Sequence, residues 1–288
     1  TINFTTVDDS AVDPGETVIV TLGTPTAGTV ALGATTAATN TILDNDTAGI
    51  FLTAPSPATF SEGAGTNASV MTARLTSQPS DTVVLTISSP VTSAATVSPA
   101  TLTFTPSNWN TAQNINISAV DDDVQDGSQG VNLNVAINTG STSAAEYGSV
   151  SAEIASIVVT DDYTAGVTVT PTSGLVVSEA GSTATFEVVL DAEPTGNVVI
   201  DVSSDHSDEA LVTAGATLTF TPTNWATAQE VTVTGQDDSV ADGAQNFTIL
   251  VDMNTGSTAD TVYSAITPSD VTGSTSDDDA PGITITPT

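Results

Sequence analysis

The stretch TFTPSNWNTAQ at residues 103–113 returns almost unchanged as TFTPTNWATAQ at residues 219–229. Two further pairs recur at nearly the same spacing: SEGAGT at 61–66 with SEAGST at 178–183, and DDDVQDG at 121–127 with DDSVADG at 237–243. Self-similarity at a fixed period is typical of arrays built from one structural unit. The sequence therefore predicts tandem repeats of about 116 residues.

The same motifs define where each repeat begins and ends. A third acidic loop, VDDSAVDPG, occupies 7–15, and related junctions begin at Asp44, Asp161 and Asp277. The predicted divisions are the last part of a repeat at 1–46, full repeats at 47–162 and 163–279, and the first strand of another repeat at 280–288. We expect the chain to be a window on a longer array. The alternative is a short polypeptide whose end strands complement neighbouring copies.

Short alternating segments fill each repeat. Val and Thr dominate them, and β-branched residues favour strands. Turn residues interrupt them every 8 to 12 positions, and no segment has a helical period. Seven such segments in each repeat predict an all-β chain of tandem immunoglobulin-like antiparallel β-sandwiches, arranged as an elongated array. Trp109 and Trp225 each follow a TP-S/T-N turn and are expected to pack in the core or at a corner.

Charge and composition exclude several classes of function. The 288 residues carry a formal net charge of −33 and one basic side chain, Arg74, apart from a single His. A nucleic-acid binder needs a basic surface, so that class is excluded, and docking on anionic lipid is disfavoured. No apolar run approaches the roughly 18 residues of a membrane span. The absence of Cys fits a bacterial exported protein that folds without disulfides.

Strand parity predicts that the carboxylates converge. In an up-and-down sandwich of seven strands, the loops after strands one, three and five lie at the same end as the close of strand seven. Acidic residues occupy the loops after strands one and five and the end of strand seven. They are Glu62, Asp121, Asp122, Asp123, Asp126, Asp161 and Asp162 in the first full repeat, and Glu179, Asp237, Asp238, Asp242, Asp277, Asp278 and Asp279 in the second.

Carboxylates gathered in this way would repel one another within a Debye length of about 8 Å. A lone acidic run is explained by a solvated turn, but three converging clusters favour a bound cation. Ca²⁺ takes oxygen ligands from several loops with flexible geometry, whereas Mg²⁺ demands a tight octahedron. Zn²⁺ is disfavoured because the chain has no Cys and only His206 as a His. Calcium is therefore the predicted cofactor.

The three acidic motifs, in this order, resemble the Calx-beta domain, named for the regulatory domains of the sodium/calcium exchanger and widespread in bacterial surface proteins. The resemblance rests on SE at 61–62 and 178–179, DDDVQD at 121–126 and DDSVAD at 237–242, and the acidic runs from Asp161 and Asp277. It implies that these motifs bind Ca²⁺ jointly. It extends to the partial repeat through Asp8, Asp9, Asp13, Asp44 and Asp46.

The two full repeats depart from the family pattern in different ways. Tyr163 stands where the second full repeat has Asp279. The family also uses an acid in the loop after strand three, for which Asp205, Asp208 or Glu209 could serve in the second full repeat. The first has SSPVTSAA there, with no acid. The two sites are therefore expected to differ in affinity or ion count.

The expected function is structural. No nucleophile–base arrangement or acid pair in an apolar pocket is recognisable, so an enzyme is not expected. The leading hypothesis is a calcium-rigidified extender of an adhesin-like bacterial surface protein, located outside the cell. Its partners would be neighbouring repeats of the same chain, with an unknown ligand at the tip of the parent protein. The alternatives are a subunit of an extracellular filament, sheath or matrix fibre, joined to other copies by strand complementation, and a sugar- or protein-binding module.

Overall fold

Residues 3–13, 15–23 and 37–283 are described by a computed structural model. Their elements are almost all strands, as predicted. In chain order these are β1 (Glu16–Thr21), β2 (Ala37–Ile42), β3 (Ile50–Leu52), β4 (Thr59–Ser61), β5 (Ser69–Leu75), β6 (Val83–Ser88), β7 (Ala95–Ser98), β8 (Thr101–Phe104), β9 (Gln113–Ala119), β10 (Gln129–Ile137), β11 (Glu153–Thr160), β12 (Val167–Thr170), β13 (Ser173–Ser178), β14 (Thr183–Leu190), β15 (Val198–Ser204), β16 (Ala210–Ala214), β17 (Thr217–Phe220), β18 (Gln229–Gly235), β19 (Gln245–Met253) and β20 (Val271–Ser276). Single 3₁₀ turns lie at Glu62–Ala64, Ala145–Tyr147 and Tyr263–Ala265.

The chain divides into two compact units. The first unit contains residues 1–121 and 128–160, and the second contains residues 122–127 and 161–288. The acidic loop at 122–127 therefore belongs to the unit of the following repeat, although the rest of its own repeat belongs to the first unit. In the described part of the chain, no helix has the length and hydropathy of a membrane span.

The first unit holds a two-sheet sandwich and the strand pair β1–β2. One sheet has the order β4-β11-β10-β6-β8 and the other the order β3-β5-β9-β7. The alternation predicted from the sequence holds, since every second residue of β5 and β9 is buried. Phe104, Ile115 and Leu133 are fully buried, and burial of such a side chain contributes about 1.5–3 kcal/mol. Trp109 packs against this core at a corner.

The second unit repeats this architecture. Its sheets have the orders β13-β20-β19-β15-β17 and β12-β14-β18-β16. Phe186, Phe220 and Ile249 are buried between them, and Trp225 packs against the cluster as Trp109 does in the first unit.

The described strands are more numerous than the seven predicted for each full repeat. The predicted first strand is divided in the second unit: β12 pairs with β14 in one sheet and β13 pairs with β20 in the other. Pro171 lies at the division, where its missing N–H cannot continue a ladder.

The predicted fourth strand is preceded by β16, which lies in the opposite sheet from β17. Gly215 lies between them with a φ of 78°, a conformation that glycine adopts without strain.

The ends of β13 and of β20, the last strand of the second unit, lie side by side. Strands β13 and β20 are parallel, and Ser178 is paired with Ser276. The residues that follow, Glu179 and Asp277, therefore leave the sheet at the same edge. At the end of the chain, residues 280–283 form no strand, and the rest of the strand predicted at 280–288 lies outside the described residues.

Candidate metal centre

The three acidic loops have the same backbone turn. In each, the second Asp of the motif accepts a hydrogen bond through Oδ1 from the N–H two residues later. The bonds are Ala11 to Asp9 at 2.9 Å, Val124 to Asp122 at 2.9 Å and Val240 to Asp238 at 2.7 Å. An Asx turn of this kind lets a short polar side chain fix the loop without help from neighbours.

A second Asp ties each loop to the end of its repeat. Oδ2 of this Asp accepts an N–H from the acidic loop, and Oδ1 accepts the N–H two residues later in the junction. The Oδ2 bonds are Asp13 to Asp44 at 3.0 Å, Gly127 to Asp161 at 2.8 Å and Gly243 to Asp277 at 2.7 Å. The Oδ1 bonds come from Asp46, Tyr163 and Asp279 at 2.8, 2.8 and 2.7 Å. Gly127 and Gly243 donate from φ values of 82° and 81°, which explains the glycine of the DG pair.

These bonds have an electrostatic consequence for Asp277. The N–H groups of Gly243 and Asp279 lower the pKa of its carboxyl. This carboxylate therefore stays charged and holds the acidic loop to the end of β20.

The second full repeat gathers its carboxylates into two overlapping groups. Oxygens of Glu179, Asp238 and Asp279 lie within 4.8 Å of one another, and so do oxygens of Glu209, Asp238 and Asp242. Asp238 is common to both. Five carboxylates from four segments of the repeat thus surround one small region, at the end of the sandwich that strand parity predicts.

Two of these carboxylates are buried. Glu179 is 3% exposed and Glu209 is 9% exposed. Burial raises the pKa of Glu179; the Asp278 N–H opposes this, and the carboxylates of Asp277, Asp238 and Asp242 add to it. Burial, with neighbouring carboxylates such as Asp242, also raises the pKa of Glu209, and its Oε2 has no hydrogen-bond partner. A buried carboxylate without a donor is costly unless a cation pairs with it.

The positive side chains of the described residues are engaged elsewhere. The guanidinium of Arg74 lies 4.4 Å from the centre of the Phe51 ring and donates to the carbonyl of Leu75. His206 is bonded to Asp205 at 2.9 Å, which raises the pKa of the imidazole. No Lys exists in the chain to neutralise the cluster.

The partial repeat forms a similar group within the first unit. All five of its predicted ligands line one cavity of about 60 Å³: Asp8, Asp9, Asp13, Asp44 and Asp46. Burial raises the pKa of Asp46, and the other four carboxylates raise it further.

The predicted ligands of the first full repeat are divided between the two units. Glu62 and Asp121 belong to the first unit, and Asp122, Asp123, Asp126, Asp161 and Asp162 belong to the second. Glu62 is 1% exposed and follows Ser61, whose hydroxyl accepts the N–H of Gly63.

In the second full repeat, Asp237 and Asp278 lie beside the cluster rather than in its two groups. Both raise the pKa of Asp279, after the larger effects of burial and Asp277. The sequence offers Glu209 as one of three candidate acids for the loop after strand three, beside Asp205 and Asp208. Its place immediately before the apolar residues 210–212 is the sequence signal that favours it, since a residue adjoining a strand is better fixed than one at a loop tip. Asp205, in contrast, is held by Thr248 and His206.

The donor set fits Ca²⁺. Carboxylates from several segments can supply the six to eight oxygens that this ion takes at roughly 2.3–2.6 Å, with backbone carbonyls and water completing the shell. Two of the carboxylates are buried and have raised pKa values, so a divalent cation would relieve both desolvation and mutual repulsion.

A family model for the Calx-beta domain matches residues 1–46, 48–163 and 165–279. Among solved structures, CBD12 from CALX1.2 is 15% identical over 70% of this chain and 79% of that chain, with a TM-score of 0.32. Domains 1–6 of the surface layer protein SbsC are 17% identical over 96% of this chain and 39% of that chain, with a TM-score of 0.29. No curated protein matches the chain.

Proposed function

The chain belongs to the Calx-beta domain family, and from that premise we propose that it is a non-enzymatic, calcium-binding extender segment of a large extracellular bacterial surface protein. Calx-beta domains are non-catalytic calcium-binding domains. In this proposal, Ca²⁺ rigidifies the junctions between consecutive repeats, and the stalk holds an adhesive tip away from the cell.

One observation carries the calcium assignment. Glu179, Glu209, Asp238, Asp242 and Asp279 form a cluster with two buried members, and Glu209 Oε2 has no protein donor. These five side chains would hold the ion, with Asp238 shared between two positions. Asp277 belongs to neither group, and its two oxygens accept backbone N–H bonds, so its proposed role is to fix the loop.

The repeats would bind calcium unequally. The first full repeat has Ala94 at the position of Glu209 and Tyr163 at the position of Asp279. It therefore lacks two of the carboxylates that the second full repeat provides. We expect it to bind fewer ions or to bind them more weakly.

The assignment of residues 122–127 to the second unit supports the proposal that calcium acts at the junctions between repeats. Residues 122–127 carry calcium-ligand candidates of one repeat, yet they pack within the unit of the next repeat. In this proposal, an ion held by this loop would tie the loop to the repeat with which it packs. Extracellular modules bind Ca²⁺ with dissociation constants of about 10⁻⁴–10⁻³ M, so calcium outside a cell would load such sites and cytosolic calcium would not.

Small-angle scattering and thermal unfolding test the extender proposal together. Chelation should lower the melting temperature and shorten the maximum dimension of the particle. A site held at 100 times its dissociation constant contributes about 2.7 kcal/mol. The variants Asp122→Asn and Asp162→Asn should reproduce the shortening in calcium, whereas the exposed control Asp252→Asn should not. An unchanged length and melting temperature in chelator would reject the proposal.

A filament subunit is the second candidate. It is favoured by the strand pair β1–β2, where Ile19 is 61% exposed and Leu43, just beyond β2, is 80% exposed. In the described residues this sheet has two strands, and a strand from another copy could extend it at its edge by β-augmentation. Electron microscopy of the purified chain separates the candidates, since long ordered filaments would support assembly and isolated particles an extender.

A further inference from the structure

Two of the three acidic loops dock on the same place in the repeat that follows them. Ala11 forms a parallel bridge with Gln78 in the first unit, and Val124 forms one with Glu193 in the second. The N–H of Gln78 donates to the carbonyl of Ser10 at 2.6 Å, and the N–H of Glu193 donates to the carbonyl of Asp123 at 2.7 Å. We call residues 8–13, 122–127 and 237–243 the docking loops, and residues 77–79 and 192–194 the receptor segments.

The receptor segments are held rigidly by their own repeats. The hydroxyl of Tyr147 donates to the carbonyl of Ser77 at 2.6 Å, and that of Tyr263 donates to the carbonyl of Ala192 at 2.6 Å. Both tyrosines are buried. The next residue in each segment precedes a proline, which restricts it to an extended backbone. Its N–H is thus presented outward as an edge donor.

Docking depends on the backbone rather than on particular side chains. The receptor residue is Gln78 in one copy and Glu193 in the other, and the accepting carbonyl belongs to Ser10 or Asp123. The N–H of Ala165 donates to Gln125 Oε1 at 2.7 Å, and this bond supplements one bridge only. Val12 replaces Gln125 in the partial repeat, and docking occurs there as well.

The third docking loop has the same conformation. The Val240 N–H donates to Asp238 Oδ1 and the Gly243 N–H to Asp277 Oδ2, as in the docked copies. Val240 is 57% exposed, whereas its counterpart Val124 is half-buried. Both receptor segments of the described chain are bridged to the other two loops.

We infer that residues 237–243 are a preformed docking strand, and that its partner is the receptor segment of a further repeat of this same kind. The carbonyl of Ser239 is the acceptor and Val240 the bridging residue. The partner must offer an extended residue before a proline, anchored by a buried tyrosine, with its N–H not already bonded to another loop. This inference concerns backbone pairing and does not require calcium binding.

An engineered disulfide tests the inference, because the chain contains no Cys. The chain is extended by joining residue 281 to a second copy of residues 166–279. Val240→Cys is combined with Glu193→Cys in the added copy only. Bridged residues lie within the Cα separation that a disulfide spans, about 4.4–6.8 Å. The reference is Val124→Cys with Glu193→Cys in the unextended chain, where the bridge is already present.

Under mild oxidation, the extended chain should reach the same disulfide-bonded fraction as the reference, measured by mass and non-reducing mobility. The control places the second Cys at the exposed Glu187 of the added copy and should stay reduced. An oxidised fraction no higher than this control would overturn the inference, and failure of the reference pair would overturn the docking geometry itself. The oxidation is repeated with a chelator. A disulfide that forms equally well in chelator shows that docking is independent of calcium, so a failure of calcium binding would leave this inference standing.

Discussion

Four acidic side chains of the second full repeat fall into two kinds. Asp277 and Asp260 accept several backbone N–H bonds, and these keep their carboxylates charged. Burial alone would raise the pKa of Asp260, but bonds from Tyr263, Thr195 and Val262 hold it below its usual value. Glu179 and Glu209 have raised pKa values because they are buried with few donors. The carboxylates of Asp277 and Asp260 thus stabilise the loops. Those of Glu179 and Glu209 are available to bind a cation.

This difference predicts an unusual pH dependence for the metal-free chain. Because the pKa values of Glu179 and Glu209 are raised in the folded state, that state takes up protons before the unfolded chain does. The free energy of unfolding should therefore gain a contribution as pH falls through the raised values toward the ordinary value of 4.5. At lower pH, protonation of Asp260 and Asp277 should remove stability.

Melting temperatures of the chelated chain across this pH range provide the measurement. The double variant Glu179→Gln, Glu209→Gln should show a smaller rise than the parent chain and should keep the fall at lower pH. Part of the rise remains because the pKa values of Asp46, Asp279 and His206 are raised as well. A rise of unchanged size in the double variant would show that Glu179 and Glu209 do not contribute to it.

Glu209 also predicts a difference between the two full repeats. Glu209→Gln removes a carboxylate that the first full repeat does not have, so calcium binding at the second full repeat should weaken at least about tenfold, or about 1.4 kcal/mol. Asp208→Asn, an exposed neighbour, is the matched control and should bind as the parent chain does. Calorimetric titration measures the Ca²⁺ affinity of both variants. Equal affinities would show that Glu209 is not a calcium ligand.

At the scale of elements, the close approach of β18 to the end of β13 brings Glu179 near the acidic loop. Gly235 ends β18, and a Cβ at this position would overlap the backbone of Ser178. Its N–H donates to the carbonyl of Ser182 at 3.0 Å. The first full repeat has Ala119 at this position.

Gly235→Ala should therefore force the two segments apart. We expect a loss of about 1–3 kcal/mol in the free energy of unfolding, as for other insertions into packed regions, together with weaker calcium binding. Gly256→Ala is the control, because the nearest atom to its Cβ would be Asn254 Oδ1 at 3.6 Å. Denaturant titration measures both variants. A Gly235→Ala chain as stable as the control would contradict the packing argument.

Much of the element structure could be predicted from the sequence. Alternation indicated the main strands, and parity predicted that Glu179, Asp238 and Asp279 lie at one end. Parity did not select Glu209, which the family resemblance offered only as one of three acids in the loop after strand three. The division of the first strand could not be read from alternation, because β12 and β13 keep the same period while they change sheets. Membership of residues 122–127 in the following unit was also beyond the sequence, since a backbone bridge leaves no mark on side-chain identity.

At the scale of the whole molecule, the same arrangement of acidic loop and terminal Asp occurs three times along the chain. Each acidic loop has the same Asx turn and the same bond to a terminal Asp. Of the 34 Asp and Glu residues, 19 lie in these recurring acidic motifs. We propose that calcium balances this charge and joins consecutive repeats.

Equilibrium dialysis of the metal-free chain against Ca²⁺ tests this account most directly. We predict saturable binding with dissociation constants of about 10⁻³ M or tighter. Asp238→Asn, which changes the carboxylate shared by both groups in the second full repeat, should reduce the number of ions bound, and Asp252→Asn should not. No saturable binding at about 10 mM Ca²⁺, well above that range, or an Asp238→Asn chain that binds as many ions as the parent, would contradict the account.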